Sequence, residues 1–163
     1  MPTRIELLQG APVFGAIRED TLQFLLERAR MVEVAAGGFF FREGDSAESM
    51  FVLEAGRAEV FKTWQQREFV LLNLAPGDCF GEMALLDLFP RSANVRAVTD
   101  CLAIELGTAV MYDLFHFDTE QFALVQMNIG REVCRRLRAT DEMLFRASMG
   151  ERGAIAGPWY RAA

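Results

Sequence analysis

Short apolar runs separated by turn residues fill the sequence from Met31 to Leu106, and this spacing constrains the fold more than any other feature. Turn signals such as Gly44-Asp45 and Pro76-Gly77 bound runs rich in Phe, Val and Leu. Closely spaced short strands of this kind predict a small antiparallel β-roll or barrel. The predicted strands are Met31–Ala35, Phe39–Phe41, Met50–Leu53, Arg57–Phe61, Phe69–Leu74, Ala93–Val98 and Leu102–Leu106.

Helical periodicity flanks the strand region on both sides. Apolar residues at helical spacing predict a helix from Asp20 to Arg30, after a short helix and an apolar turn within residues 4–17. On the C-terminal side, a short helix is predicted from Thr108 to Phe117. A long helix with an apolar stripe then begins at Asp118 or Thr119, either of which can cap it.

These patterns predict one α+β domain over residues 1–148. Its β-roll covers about residues 31–107 and its C-terminal helices about residues 108–148, and residues 149–163 form a flexible tail. We expect no helix-turn-helix domain in this chain.

Composition excludes several classes of function. A net charge of −6 argues against a chain that binds DNA by itself, since affinity for nucleic acid comes mostly from clustered Lys and Arg. The single histidine, His116, rules out a cupin-type metal enzyme and leaves a serine nucleophile without a base, so we expect no metal and no enzymatic activity. Three widely spaced cysteines, no signal peptide and no apolar run near 18 residues predict a cytoplasmic protein without a membrane span.

The segment from Gly77 to Ala93 has the layout of an anion-binding loop. Gly81 has no Cβ, so its backbone allows close approach of a ligand, and we expect the amides of residues 82–84 to face an anion at a helix start. Arg91 can donate two parallel hydrogen bonds to phosphate oxygens. Glu82 would repel a phosphate, so it makes sense only as an acceptor for another group of the ligand, such as a sugar hydroxyl.

At these residues the chain resembles the cyclic nucleotide-binding domain family, which includes the bacterial catabolite activator protein and the regulatory subunits of protein kinase A. The family's phosphate-binding cassette reads approximately F-G-E-[LM]-A-L-L followed by P-R-S-A, and this chain has both parts in order. The resemblance implies a jelly-roll-like double-stranded β-helix. It also implies that Glu82 takes the ribose 2′-hydroxyl and Arg91 the exocyclic phosphate oxygens. The other cassette residues that the resemblance assigns to the ligand are Phe80, Gly81, Met83, Ala84, Ser92 and Ala93.

Four residues outside the cassette are further candidates. The resemblance implies that Val60 and Leu71 line the base pocket, although apolar strand residues also serve as ordinary core. It implies that Thr140 contacts adenine. Arg136 either leans toward the phosphate or pairs with a glutamate four residues earlier on the same helix.

The resulting hypothesis is a sensor that binds a cyclic nucleotide, with cAMP favoured over cGMP, and that repacks its C-terminal helix to signal to an unknown partner protein. The long apolar stripe of that helix and the resemblance together favour a homodimer. The alternative is an interaction or dimerisation module of the same fold that has lost its ligand; the intact Glu82 and Arg91 argue against it.

Overall fold

A computed structural model describes residues 3–149 of the chain. It confirms the predicted α+β class, with an antiparallel β-roll between two N-terminal helices and a long C-terminal helix. The helices are α1 (Arg4–Gly10), α2 (Glu19–Arg28), α3 (Ala84–Asp87), α4 (Thr108–Phe117) and α5 (Thr119–Ser148), with a 3₁₀ turn at Pro12–Phe14. The strands are β1 (Arg30–Val34), β2 (Phe39–Phe41), β3 (Ser49–Ala55), β4 (Ala58–Trp64), β5 (Arg67–Leu74), β6 (Cys79–Phe80), β7 (Asn94–Ala97) and β8 (Cys101–Gly107). Of the predicted tail, residues 150–163 lie outside the described residues.

Two four-stranded antiparallel sheets form the roll. One has the order β1-β8-β3-β6 and the other the order β2-β7-β4-β5. Their inner faces share an apolar core that includes Phe51 and Leu53 from the first sheet and Leu74 and Val95 from the second. The cassette connects β6 of one sheet to β7 of the other, so it lies at the edge of this core.

The helices pack on the outer face of the first sheet and form a second core. Leu8, Leu22 and Leu25 from the N-terminal helices meet Val52 and Ile104 from the strands, and α4 and α5 complete the cluster. Strand β3 contacts an apolar core on each of its two faces. Its residues therefore form a continuous buried run and do not alternate between buried and exposed.

Polar contacts fix the start of α5 against the N-terminal segment. Asp118 caps the helix by accepting a hydrogen bond from the Gln121 amide at 3.0 Å, as predicted, and it also pairs with Arg18. Further along α5, the buried Asn128 side chain donates to the carbonyls of Val13 and Gly15 at 3.2 and 2.9 Å. These contacts hold the first half of α5 in one position, and the same helix carries Arg136 to the cassette.

The apolar stripe of α5 divides into two parts. Val125 and Ile129 are fully buried in the helical core, whereas Leu137 and Leu144 in the second half are 59% and 66% exposed. Packing within this chain therefore accounts for the first half of the stripe only.

Candidate ligand site

A cavity of about 160 Å³ lies between the cassette, strands β4 and β5, and helix α5. Ten of the twelve residues predicted for the site line it; Leu71 and Thr140 do not. The ten are Val60, Phe80, Gly81, Glu82, Met83, Ala84, Arg91, Ser92, Ala93 and Arg136.

Arg91 is held on one side of this cavity with only 7% of its surface exposed. One terminal nitrogen donates to the Gly81 carbonyl at 3.1 Å and the other to the Ser49 hydroxyl at 3.3 Å. The Phe41 ring lies against the guanidinium, with its centroid 4.0 Å from Cζ. The Nε–H group is buried and has no hydrogen-bond partner among residues 3–149. A buried guanidinium with an unused donor beside a cavity is suited to bind an anion there.

The backbone of Arg91 is fixed by the loop between β2 and β3. The Arg91 amide donates to the Asp45 carbonyl at 2.9 Å, and the Arg91 carbonyl accepts from the Gly44 amide at 2.9 Å. The Glu43-Gly44-Asp45 turn thus explains how a residue in a long loop is held in one place.

Glu82 is 1% exposed and faces the same cavity. Burial raises the pKa of its carboxyl, and the nearby positive charge of Arg136 acts in the opposite direction. One oxygen accepts from Arg136 at 2.5 Å, while Oε2 is buried without a partner on another described residue. The site therefore presents an unused acceptor as well as an unused donor.

Arg136 reaches the cassette from α5, where it contacts two acids. It pairs with Glu132 four residues earlier at 3.4 Å, and also donates to Glu82 and, at 3.1 Å, to the Cys79 carbonyl. Its partner in the cavity among the described residues is therefore Glu82, and its contact with the phosphate stays a prediction. Sequence spacing predicts the pair with Glu132, but the contact with Glu82 joins residues that are 54 positions apart and depends on the fold.

Gly81 adopts a φ of +75°, which residues with a Cβ rarely adopt. A Cβ at this position would lie 2.6 Å from the Arg91 guanidinium. The glycine thus permits both the turn and the contact beneath it. The helix that follows is only one turn long, and the Ala84 amide donates to the Gly81 carbonyl at 3.3 Å. The prediction that this amide faces an anion is therefore corrected.

Leu72 lines the cavity in the position predicted for Leu71. The pairing of β4 with β5 shifts by one residue after Val60, which pairs with Leu72, while Phe61 pairs with Val70. Leu71 is the extra residue of this bulge and is 47% exposed. A one-residue shift reverses the faces of a strand, so alternation in the sequence could not have distinguished the two leucines.

Thr140 lies on an exposed part of α5, one helical turn beyond Arg136. Its hydroxyl donates to the Arg136 carbonyl at 3.0 Å. The structure does not bring it to the cavity of its own chain. Prediction also missed Phe41, whose ring packs against Arg91; its place in the Phe-rich strand β2 gave no signal beyond that of a core residue.

The described residues offer neither a membrane-spanning helix nor a cluster of metal ligands. No described helix has the length and hydrophobicity to cross a membrane. Within residues 3–149, no three His, Cys, Asp or Glu side chains are grouped as metal ligands. Cys79 and Cys101 are buried and Cys134 is exposed, and all three are free thiols.

Comparison with known proteins identifies the family. The family model for the cyclic nucleotide-binding domain matches residues 31–117, which is more than half of the chain, and the chain belongs to this family. It is 32% identical over 100 residues to a cAMP-dependent protein kinase regulatory subunit of Emericella nidulans, covering 61% of this chain and 24% of that protein.

Two solved structures share the fold. The catabolite activator protein of Thermus thermophilus has a TM-score of 0.75 and 29% identity, covering 85% of this chain and 63% of that one. The regulatory domain of Toxoplasma gondii PKA, solved with cAMP, has a TM-score of 0.65 and 27% identity, covering 83% of this chain and 47% of that one. The chain thus spans less than two thirds of the length of each of these proteins.

Proposed function

We propose that this chain is a regulatory sensor domain that binds a cyclic nucleotide, with cAMP as the preferred ligand. The observation that carries the proposal is a pair of buried polar atoms without hydrogen-bond partners among the described residues, on two residues that line one cavity. Arg91 Nε is a buried donor on a cation, and Glu82 Oε2 is a buried acceptor on a carboxyl group. An unmatched buried polar group costs about 1–3 kcal/mol, so a ligand that satisfies both atoms recovers that free energy on binding.

A cyclic nucleotide offers the complementary groups at a short separation. Its phosphodiester carries one negative charge with two free oxygens, which suit the guanidinium of Arg91. Its ribose 2′-hydroxyl is a donor that the carboxylate of Glu82 can accept. The cation and the carboxylate therefore recognise neighbouring parts of one ligand, which explains why an acid lies next to an anion site.

The base is assigned to the apolar side of the cavity. Val60 and Leu72, on paired strands, form a wall suited to the face of a purine. Ser92 lies at the exposed rim of the cavity, where its hydroxyl can also reach a guanine. Similarity to a kinase regulatory subunit named for cAMP, and to a domain solved with cAMP, supports cAMP over cGMP.

Helix α5 is the proposed output element. Arg136 connects it directly to Glu82, so a ligand hydroxyl on Glu82 competes with or reorganises that ion pair. A ligand that binds one packing of α5 more tightly shifts the population toward that packing. The second half of α5 is where a partner protein would detect the change.

A homodimer through α5 is part of the proposal. The exposed side chains of Leu137 and Leu144 lie seven residues apart, two turns along the same face of the helix, and such an apolar stripe is suited to pair with its own copy. Sedimentation equilibrium of the wild-type chain should give twice the monomer mass. Leu137→Asp with Leu144→Asp should give the monomer, whereas Phe69→Asp, on the exposed face of β5, should leave the dimer intact.

Isothermal titration tests the ligand assignment. We expect saturable binding of cAMP, weaker binding of cGMP, and little binding of 5′-AMP, whose open phosphate carries a second charge and lacks the ring geometry. Glu82→Gln should weaken cAMP binding because it replaces a charged acceptor with a neutral one. If folded wild-type protein gives no binding heat with either cyclic nucleotide, the proposal is wrong and the interaction-module alternative gains support.

A further inference from the structure

A chain of hydrogen bonds extends from the buried Arg91 through Ser49 and Glu105 to Arg30, whose side chain is exposed. The Arg91 guanidinium donates to the Ser49 hydroxyl at 3.3 Å, and this hydroxyl lies 2.7 Å from Oε1 of Glu105. Oε2 of Glu105 accepts from Arg30 at 2.6 Å. Ser49 is 8% exposed, and the Glu105 side chain is 15% exposed.

The direction of each hydrogen bond follows from the chemistry of the groups. A guanidinium has no acceptor, and an ionised carboxylate has no donor. The single hydroxyl proton of Ser49 must therefore point at Glu105, which leaves an oxygen lone pair for Arg91. The chain is thus polarised from the cation to the carboxylate, and serine supplies the only group that can serve both.

Strand pairing places these residues side by side. Glu105 on β8 pairs directly with Phe51 on β3 and with Arg30 on β1. Ser49 lies two residues before Phe51, on the same face of β3, which makes it a diagonal neighbour of Glu105. The positions of Ser49 and Glu105 are thus fixed by the first sheet and do not depend on the cassette loop.

From this arrangement, and on the basis of the proposed function, we propose that Glu105 and Ser49 are positioning residues that set the plane of the Arg91 guanidinium for a cyclic phosphate. The Gly81 carbonyl holds one terminal nitrogen, Ser49 holds the other, and the Phe41 ring supports the flat face. Three supports define a plane, and the Nε–H group that remains is buried without a hydrogen-bond partner among residues 3–149.

Electrostatics agree with this assignment. Burial lowers the pKa of Arg91, and among the neighbouring acids that oppose this shift Glu105 acts most strongly, followed by Asp45 and Glu82. Glu105 thus serves as a counter-ion for Arg91 although the two side chains are joined through a serine. An account in which Ser49 and Glu105 only stabilise the sheet predicts no effect on the arginine side chain.

Nuclear magnetic resonance of the ligand-free full chain tests the arrangement without requiring a ligand. The Nε–Hε signal of Arg91 is assigned by its loss in Arg91→Lys. Ser49→Ala and Glu105→Gln should each move this signal toward the position of exposed arginines, and Ser49→Thr, which retains a hydroxyl, should leave it near the wild-type position. Glu33→Gln, which removes an exposed carboxylate from the adjacent strand, is the matched control and should change nothing.

Titration with cAMP tests the consequence for binding. Ser49→Ala and Glu105→Gln should each weaken binding about tenfold, the effect of losing one charge-assisted hydrogen bond. In an Arg91→Lys background the same substitutions should change the Kd less than twofold, because an ammonium group has no plane to orient. Ser49→Thr should retain wild-type affinity.

The possible results separate this inference from the proposed function. An Arg91 signal that is unchanged in both Ser49→Ala and Glu105→Gln overturns the inference, as does an equal loss of affinity with arginine and with lysine at position 91. A shifted Arg91 signal in a protein that binds neither cAMP nor cGMP overturns the proposed function, and it leaves the positioning of the guanidinium supported.

Discussion

Removal of Arg136 by an Arg136→Ala substitution tests how the long helix is connected to the cassette. In the wild-type chain this side chain is the cation beside Glu82, whose carboxyl is almost completely buried. Alanine leaves that carboxylate without its charge partner and also removes the hydrogen bond to the Cys79 carbonyl. We therefore expect the substitution to destabilise the fold far more than the loss of a surface arginine would.

The magnitude follows from the exposure of the two partners. Breaking a fully buried ion pair costs about 3–5 kcal/mol. Arg136 is 30% exposed, so water screens part of the interaction, and we expect about 2–3 kcal/mol. For a domain of this size this corresponds to a decrease in Tm of about 5–10 °C.

The loss of stability caused by Arg136→Ala should depend on pH. Burial already raises the pKa of Glu82, and the nearby Arg136 opposes that shift, so its removal raises this pKa further. When the pKa of Glu82 is higher in the folded state than in the unfolded chain, the folded state loses stability as the pH rises through the folded-state pKa. Stability is fully regained below the pKa that Glu82 has in the unfolded chain. The destabilisation by Arg136→Ala should therefore be largest at neutral pH and should shrink as the pH falls and Glu82 takes up a proton.

Chemical denaturation of wild type, Arg136→Ala and Arg138→Ala at pH 7 and at pH 5 measures these differences. Arg138 lies on an exposed part of the same helix and is the matched control, with an expected effect within 0.5 kcal/mol, the usual range for surface positions. Adding Glu82→Gln to Arg136→Ala should recover part of the loss, since it removes the unpaired charge. Equal stabilities of the two arginine variants would refute the assigned ion pair.

Three further predictions concern the cassette and the thiols. Gly81→Ala should abolish measurable cAMP binding in a titration, because the added Cβ would lie 2.6 Å from the Arg91 guanidinium. Gly37 has a similar φ of +83° but open space around the position of a Cβ, so Gly37→Ala is the control. An equal loss of binding in Gly37→Ala would contradict this reason. The affinity for cAMP should weaken as the pH falls through the raised pKa of Glu82, since a protonated carboxyl is a poorer acceptor for the ribose hydroxyl; Glu82→Gln should give a pH-independent Kd over the same range, and a flat wild-type profile would contradict the role of the carboxylate. A thiol reagent should modify only Cys134 in the native protein and all three cysteines after unfolding, because the other two are buried and burial raises their pKa values; mass spectrometry counts the adducts, and native labelling of a buried thiol would contradict the packing.

Local patterns in the sequence were sufficient to predict most of the architecture. Short apolar runs and turn residues located seven of the eight strands of the roll, all but the two-residue β6, and Asp118 was one of the two expected caps of α5. Gln65 and Gln66, between β4 and β5, both have positive φ, the conformation of a tight hairpin turn. Such features depend on neighbouring residues, which is why a single sequence contains enough information.

Features that depend on pairing between distant segments could not be predicted. The exchange of Leu71 for Leu72 at the cavity arises from a bulge, and the sequence of β5 has apolar residues at both positions. The contact of Arg136 with Glu82 depends on how α5 lies across the roll. Similarly, the chain of hydrogen bonds from Arg91 through Ser49 to Glu105 depends on the register of β3 against β8.

The central claim is that Arg91 and Glu82 together bind one cyclic nucleotide, and a crystal structure of the chain grown with cAMP tests it most directly. We expect the phosphate within hydrogen-bond distance of the Arg91 guanidinium, the ribose 2′-hydroxyl on Glu82, and the base against Val60 and Leu72. A nucleotide bound elsewhere, or crystals grown at saturating cAMP with no nucleotide between these two side chains, would contradict the account.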